Sequence, residues 1–233
     1  MAFRTRREGA ALAVHDVSVT DRVLAEQLSY YRERAAEYDV TAYGDVATAS
    51  VRVERLVNQM QPSGAVLEIA CGTGVWTAAL ARRVSTLMAI DAAREMIEIA
   101  RTRVALPNIT FEVADVFTWA TSARFDVIFF SAWLSHVPTN RFDQFLALLR
   151  PMLAERGRVL FIDEHSDDRD KEIYTSGDSE IVQRTLRDGR QFHIVKNFVD
   201  PDQLTDRLEQ LGWHCRIHRD GSDWIRGEAQ PVQ

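Results

Sequence analysis

VLEIACGTGVW, residues 66–76, reads as a short apolar strand running straight into a glycine turn. In an open parallel sheet such a turn begins a crossover, and glycines at 72 and 74 let the main chain approach a ligand beyond the strand's carboxyl end. Glu68 is out of character there, an acid among apolar neighbours. Burying a carboxylate costs free energy unless something answers its charge. The turn therefore calls for a ligand that tolerates negative potential.

Working outward from this stretch, strand and helix alternate. AVLEIA (65–70) is followed by a helix over 75–84, TLMAID (86–91) by a helix over 93–105 with Met96, Ala100 and Val104 in line, and ITFEVAD (109–115) by FDVIFFS (125–131). A helix over 140–153, with Phe142, Phe145, Leu146 and Leu149 at helical spacing, leads to GRVLFID (157–163). Short β-rich runs buried on both faces and joined by helices imply a doubly wound α/β fold with a parallel sheet. Upstream, the spacing predicts a first helix from Thr20 to Tyr38, capped by Thr20 or Asp21, and a second over 46–60. After Asp163 the polar run EHSDDRDKEIYTSGDSE breaks the rhythm and reads as a surface insertion or lid. RQFHIVKNF is strand-like, a helix follows from Asp200 and Pro201 to a stop at Gly212, and 213–228 closes as a hairpin through RDGSD. One domain is expected: tail and lid helices at 1–62, a core at 63–165, an insertion or substrate lid at 166–199, and the closing helix and hairpin at 200–233.

Composition narrows the classes. With 34 acidic against 28 basic residues the net charge is −6, which opposes a phosphate backbone. No apolar run approaches the roughly 18 residues of a membrane span. The Arg- and Ala-rich opening carries Glu8 and lacks an apolar core, so it reads as a frayed tail. Cys71 and Cys215, the two cysteines, stand far apart with no metal-ligand spacing, which fits a reducing cytoplasm and no metal. A monomer or homodimer with neither nucleic-acid nor membrane partners is expected.

Three acids fall at or near equivalent strand ends: Glu68, Asp91 and Asp115. Asp91, 19 residues beyond Gly72, is placed to accept two hydrogen bonds from a ribose diol, with helix capping as its plainer alternative. Asp115 can accept from an adenine amine, with Ala92, Met96, Val116 and Phe117 as apolar surface for the ring. A dinucleotide fingerprint fits poorly, because Thr77 stands where a third small residue belongs and Glu68 would repel a pyrophosphate. A sulfonium cofactor carrying an ammonium group suits Glu68 instead.

VLEIACGTGVWT, MAIDAAREMIEIAR, ITFEVADVFTW and FDVIFFSAWLSHVP, in that order, resemble the motifs of class I S-adenosylmethionine-dependent methyltransferases. The resemblance covers roughly residues 28–165 and, more loosely, the closing helix and hairpin. It implies a Rossmann-like, mostly parallel seven-stranded sheet with an antiparallel last strand, and an N-terminal helical lid. It further implies that Ala70, Gly72 and Gly74 underlie the methionine part of the cofactor, that Asp91 holds the ribose, and that Asp115 with Val116 or Phe117 frames the adenine. By the same resemblance, Tyr31 and Arg34 contact the cofactor's amino-acid end. The family's usual first glycine is Ala70 here, and a right-handed backbone is expected for it.

Methyl transfer from a sulfonium needs alignment and exclusion of water more than a base. Where the acceptor is protonated, a histidine helps. SAWLSHVP after the fourth strand offers Ser131 at the cofactor, Trp133 as a pocket wall and His136 as the base candidate. Glu164 is a second catalytic candidate. Tyr30, His165, Tyr174 and Lys196 are candidates for the acceptor pocket. The expected function is S-adenosylmethionine-dependent methylation of a small aromatic, quinone-like or natural-product metabolite at oxygen, nitrogen or carbon. The alternatives are a nicotinamide-dependent oxidoreductase and a noncatalytic cofactor-binding protein.

Overall fold

The computed structural model describes residues 18–165, 169, 172–176, 179–221 and 224–232. The N-terminal tail, much of the polar run after Glu164 and the tip of the closing hairpin lie outside them. Seven strands form one sheet: β1 (Ala65–Ile69), β2 (Thr86–Asp91), β3 (Ile109–Val113), β4 (Phe125–Ser131), β5 (Leu153–Glu164), β8 (Trp213–Asp220) and β9 (Trp224–Pro231). Their order is β3-β2-β1-β4-β5-β9-β8. Pairing is parallel from β3 to β5, and the last strand in the chain, β9, runs antiparallel to both β5 and β8. The strand order reverses at β1, so the ends of β1 and β4 open the crevice where ligands bind in such sheets.

The two-residue period of the central strands fills both faces. Leu67, Ile69, Ile128, Phe130 and Phe161 bury one face with α6 (Phe142–Leu149) and α7 (Pro201–Gln210). Val66, Val127, Phe129, Leu160 and Ile162 bury the other, beneath α3 (Val46–Met60) and α4 (Val75–Ala81). Glu68 shares the α4 side with Val66, which explains why its side chain meets protein and not solvent.

The expected first helix divides. α1 runs Val19–Arg34, capped by Ser18 accepting from the Asp21 N–H, and a 3₁₀ turn then leads to a separate α2 (Tyr38–Ala42). α3 has the expected bounds, with both Asp45 carboxylate oxygens accepting from its first turn. α5 (Arg94–Arg103) and α6 are shorter than expected, and 3₁₀ turns flank α6. The insertion holds a small antiparallel hairpin, β6 (Ile181–Thr185) and β7 (Gln191–Val195), against which α1 packs. No helix among the described residues is long and apolar enough to cross a membrane.

Candidate active site

A cavity of about 350 Å³ opens at the carboxyl ends of β1, β2 and β4, roofed by α1. Its floor holds Ala70 and Gly72 after β1, Asp91 and Ala92 at the end of β2, and Ser131 and Ala132 at the end of β4; Leu24, Leu28 and Tyr31 form the roof. Ala70 has φ 54° and Ala132 φ 47°. The expected right-handed backbone at Ala70 is therefore replaced by a left-handed one, which costs an L-residue about 1–2 kcal/mol. Both strained alanines sit in the cavity wall, a common location for stored backbone strain.

Asp91 serves its own backbone first. Its Oδ2 accepts from the Gly72 N–H at 2.9 Å and its Oδ1 from the Ala93 N–H at 2.8 Å, tying the glycine turn to the entrance of α5. Each oxygen keeps a second lone pair. Burial pushes its pKa up to about 6, against the pull of the two amides. Gly72 has φ +55°, a left-handed backbone that favours glycine, and a Cβ built on it would meet nothing within 4 Å. Gly74 serves packing instead. A Cβ there would stand 3.0 Å from that of Ala100, so its bareness seats α4 on α5.

Glu68 lies under the turn and is 1% exposed. Its Oε2 and the neighbouring Thr77 hydroxyl both lack a formed hydrogen bond. Burial pushes its pKa up to about 8, opposed by the polarity of Thr77 and assisted by the nearby Asp91 carboxylate. In the empty protein at pH 7 it is thus mainly a neutral acid, and the negative potential expected of it appears on ionisation. At the far end of the cavity Met96, Val116 and Phe117 supply apolar wall, and exposed Asp115 accepts from the Phe117 N–H at 2.9 Å. The Asp21–Arg141 ion pair closes that rim, with the guanidinium 5.6 Å from the Phe117 ring centre.

His136 ends a 3₁₀ turn after β4 and is 8% exposed. Its Nδ1 lies 2.7 Å from the Val195 carbonyl oxygen, which can only accept, so Nδ1 carries the proton in the neutral ring. Bare Nε2 accepts from the Tyr31 hydroxyl at 2.9 Å. Burial, reinforced by the charges of Lys196, Arg184 and Arg34, pushes the imidazole pKa well below its ordinary value. Gln27 links the same elements: its amide donates to the His136 carbonyl at 3.3 Å and accepts from the Val195 N–H at 2.9 Å. Buried Asp163 accepts from the Ser135 N–H at 3.2 Å and holds the turn to β5.

Of the residues singled out in the sequence, the cavity gathers Tyr31, Ala70, Gly72, Asp91, Ala92, Met96, Asp115, Val116, Phe117, Ser131, Trp133 and His136. Others lie outside its wall. Glu164 is ion-paired with Lys196, whose ammonium is also 3.3 Å from the Ser135 hydroxyl. Arg34 stacks 4.8 Å from the Tyr38 ring centre and donates to Thr41. Tyr30 is buried with Val182, Leu186 and Ile194, the Tyr174 hydroxyl donates to the Lys196 carbonyl at 3.4 Å, and His165 is buried beside Val199. Gln27, Asp21 and Arg141 were not singled out. Gln27 had a signal, a polar residue in the buried stripe of Val23 and Tyr30.

A bare turn, an Asp91 carboxylate with a lone pair left on each oxygen and an apolar slot fit an adenosine-bearing ligand. A family model described as a methyltransferase domain matches residues 66–157. The ubiquinone biosynthesis O-methyltransferase of Xylella fastidiosa is 30% identical over 172 residues, spanning 70% of this chain and 67% of that protein. The malonyl-[acyl-carrier protein] O-methyltransferase of Bacillus cereus is 28% identical over 208 residues, spanning 87% of this chain and 66% of that protein. Among solved structures, the DhpI–SAH complex is 36% identical with a TM-score of 0.79, covering 90% of this chain and 97% of that one. The DhpI–SAM–HEP complex is 35% identical at the same TM-score, covering 90% and 98%. The motifs, the sheet order and these likenesses agree, and the chain belongs to the class I S-adenosylmethionine-dependent methyltransferase family.

Proposed function

We propose that the enzyme methylates a hydroxyl oxygen of a small molecule, such as an aromatic, quinol or natural-product metabolite, with His136 as the general base. The observation that carries this reading is the fixed imidazole: Nδ1–H is committed to Val195, and unprotonated Nε2 accepts from Tyr31, with His136 and Tyr31 both lining the cavity. The names of the relatives support oxygen as the acceptor atom.

When bound, S-adenosylmethionine supplies a methyl group already activated on sulfur. The chain's own residues would do the rest. Gly72 and Ala70 would carry the amino-acid part, Asp91 would use its free lone pairs for the ribose hydroxyls, and Asp115 with Val116 and Phe117 would frame the adenine. Ionised Glu68 would favour the cationic cofactor over its neutral product. The roof of α1, backed by the β6–β7 hairpin, would exclude water. The buried thiols of Cys71 and Cys215 suit a cytoplasmic enzyme.

The test is to incubate the enzyme and labelled cofactor with a panel of phenols, quinols and hydroxylated metabolites, including the HEP of the neighbouring complex, and to detect products by mass. A product heavier by one methyl on oxygen is expected, and methylation on nitrogen or carbon would overturn the reading. His136→Ala should slow turnover by about 100-fold or more while changing cofactor affinity little. An unchanged rate would remove His136 as the base.

A further inference from the structure

We propose that Tyr31 is a catalytic residue, its phenol oxygen receiving the acceptor's hydroxyl proton as its own proton passes to His136 Nε2. This rests on the reading of His136 as the base and says how the proton reaches it.

The lone pair of His136 Nε2 is already taken by the Tyr31 hydroxyl at 2.9 Å. A direct transfer from an acceptor would have to break that bond and move the tyrosine aside. Tyr31 is poorly placed to move. Its ring is packed edge-on to Tyr30 at 5.1 Å and to His136 at 5.5 Å, and lies 6.3 Å from Tyr38. The backbone of α1 beneath it is stitched across the site by Gln27. Both Tyr31 and His136 line the cavity with Gly72 and Ser131. An acceptor entering there meets the tyrosine oxygen, whose lone pairs are free to accept.

Burial keeps the Tyr31 phenol protonated and the His136 ring neutral, so the two start as donor and acceptor in the required order. The charged groups acting on the imidazole are Lys196, Arg184 and Arg34, from three different segments, and all disfavour a second proton on it before transfer begins. Atoms and charge balance. As the acceptor oxygen bonds to the methyl carbon, the carbon–sulfur bond breaks and its electron pair stays on sulfur. One proton moves from acceptor to Tyr31, and one from Tyr31 to Nε2. Tyr31 ends neutral, and the imidazolium, its Nδ1–H still on Val195, later yields its proton to water.

Tyr31→Phe keeps the ring packing and removes the relay. The first readout needs neither cofactor nor acceptor. In the empty protein the His136 pKa, followed by NMR, should rise by about half to one unit in the variant, because the neutral ring loses a hydrogen bond it had accepted. An unshifted imidazole would overturn the proposal. The second uses HEP, or whichever panel compound is methylated. Turnover should fall about 100-fold in Tyr31→Phe, and the double variant with His136→Ala should be within about twofold of His136→Ala alone, since one proton path is lost once. Turnover at or above the wild-type rate in Tyr31→Phe, with His136→Ala still slow, would sink the relay and leave His136 as a direct base. A wild-type rate in His136→Ala would sink the base reading itself and the relay with it.

Discussion

Replacing Glu68 by Gln should change how stability depends on pH. In the folded, empty protein its carboxyl titrates near pH 8, against an ordinary value of 4.5. Between those values the folded chain holds a proton that the unfolded chain releases. A raised folded pKa means the stabilising contribution is complete below about pH 4.5 and is lost as pH rises through about 8. Within that window each pH unit costs about 1.4 kcal/mol, so moving from pH 5.5 to 7.5 removes about 2–3 kcal/mol, a large share of an ordinary domain's 5–15 kcal/mol. Glutamine is neutral at every pH and close in shape to the protonated acid, so this slope disappears in the variant. Asp163, whose pKa is also raised, titrates in both proteins and cancels in the difference, whereas Asp91 repels ionised Glu68 and so belongs to the slope that the variant loses. Urea unfolding of cofactor-free protein at three pH values, followed by tryptophan fluorescence, measures it. Parallel stability curves for wild type and Glu68→Gln would refute the reasoning. Calorimetry offers an independent check: binding the cationic cofactor at pH 7 should release protons from the wild type and markedly fewer from the variant.

Asp91→Asn puts an amide NH₂ against either the Gly72 or the Ala93 N–H; we expect about 1–3 kcal/mol lost stability and a cofactor Kd about 10- to 100-fold higher, measured by thermal melts and calorimetry. Alanine at that position would orphan both amides and is the poorer probe. Ala70→Gly relieves left-handed strain of about 1–2 kcal/mol against an entropy cost of about 0.5–1 kcal/mol, so a small gain in unfolding free energy is expected, and a loss would contradict the strain. Arg103 donates to the Thr73 carbonyl at 2.6 Å and pairs with Asp39, joining α5, the glycine turn and α2. Arg103→Met should speed cofactor release about tenfold, the worth of one partly buried charge-assisted bond, in a stopped-flow displacement experiment.

Much of the core was legible because its signals are local. The strands Thr86–Asp91 and Phe125–Ser131 and the helix Val46–Met60 coincide with the patterns that predict them, each ended by a turn residue or a polar break. Glu68 advertised itself as an acid in an apolar run, but its direction depends on register and its protonation on burial. The left-handed turn at Ala70 carries no signal, since alanine has no preference for that region; the sheet imposes it. β7 was visible in QFHIV, whereas its partner IVQRT, of the same length, ends in three polar residues and does not stand out. The contact between Tyr31 and His136 joins residues 105 apart, and nothing periodic encodes such a meeting. The same holds for Glu164 and Lys196, two candidates whose ion pair only the fold brings about.

The stitching of α1 to the turn after β4 ties the helix that roofs the cavity to the proposed base. Any lifting of that helix would pull the phenol off the imidazole and the Gln27 amide off the adjoining main chain. Under the proposed relay, a raised helix would be disarmed, and seating it would restore the proton path and the cover over the cavity together.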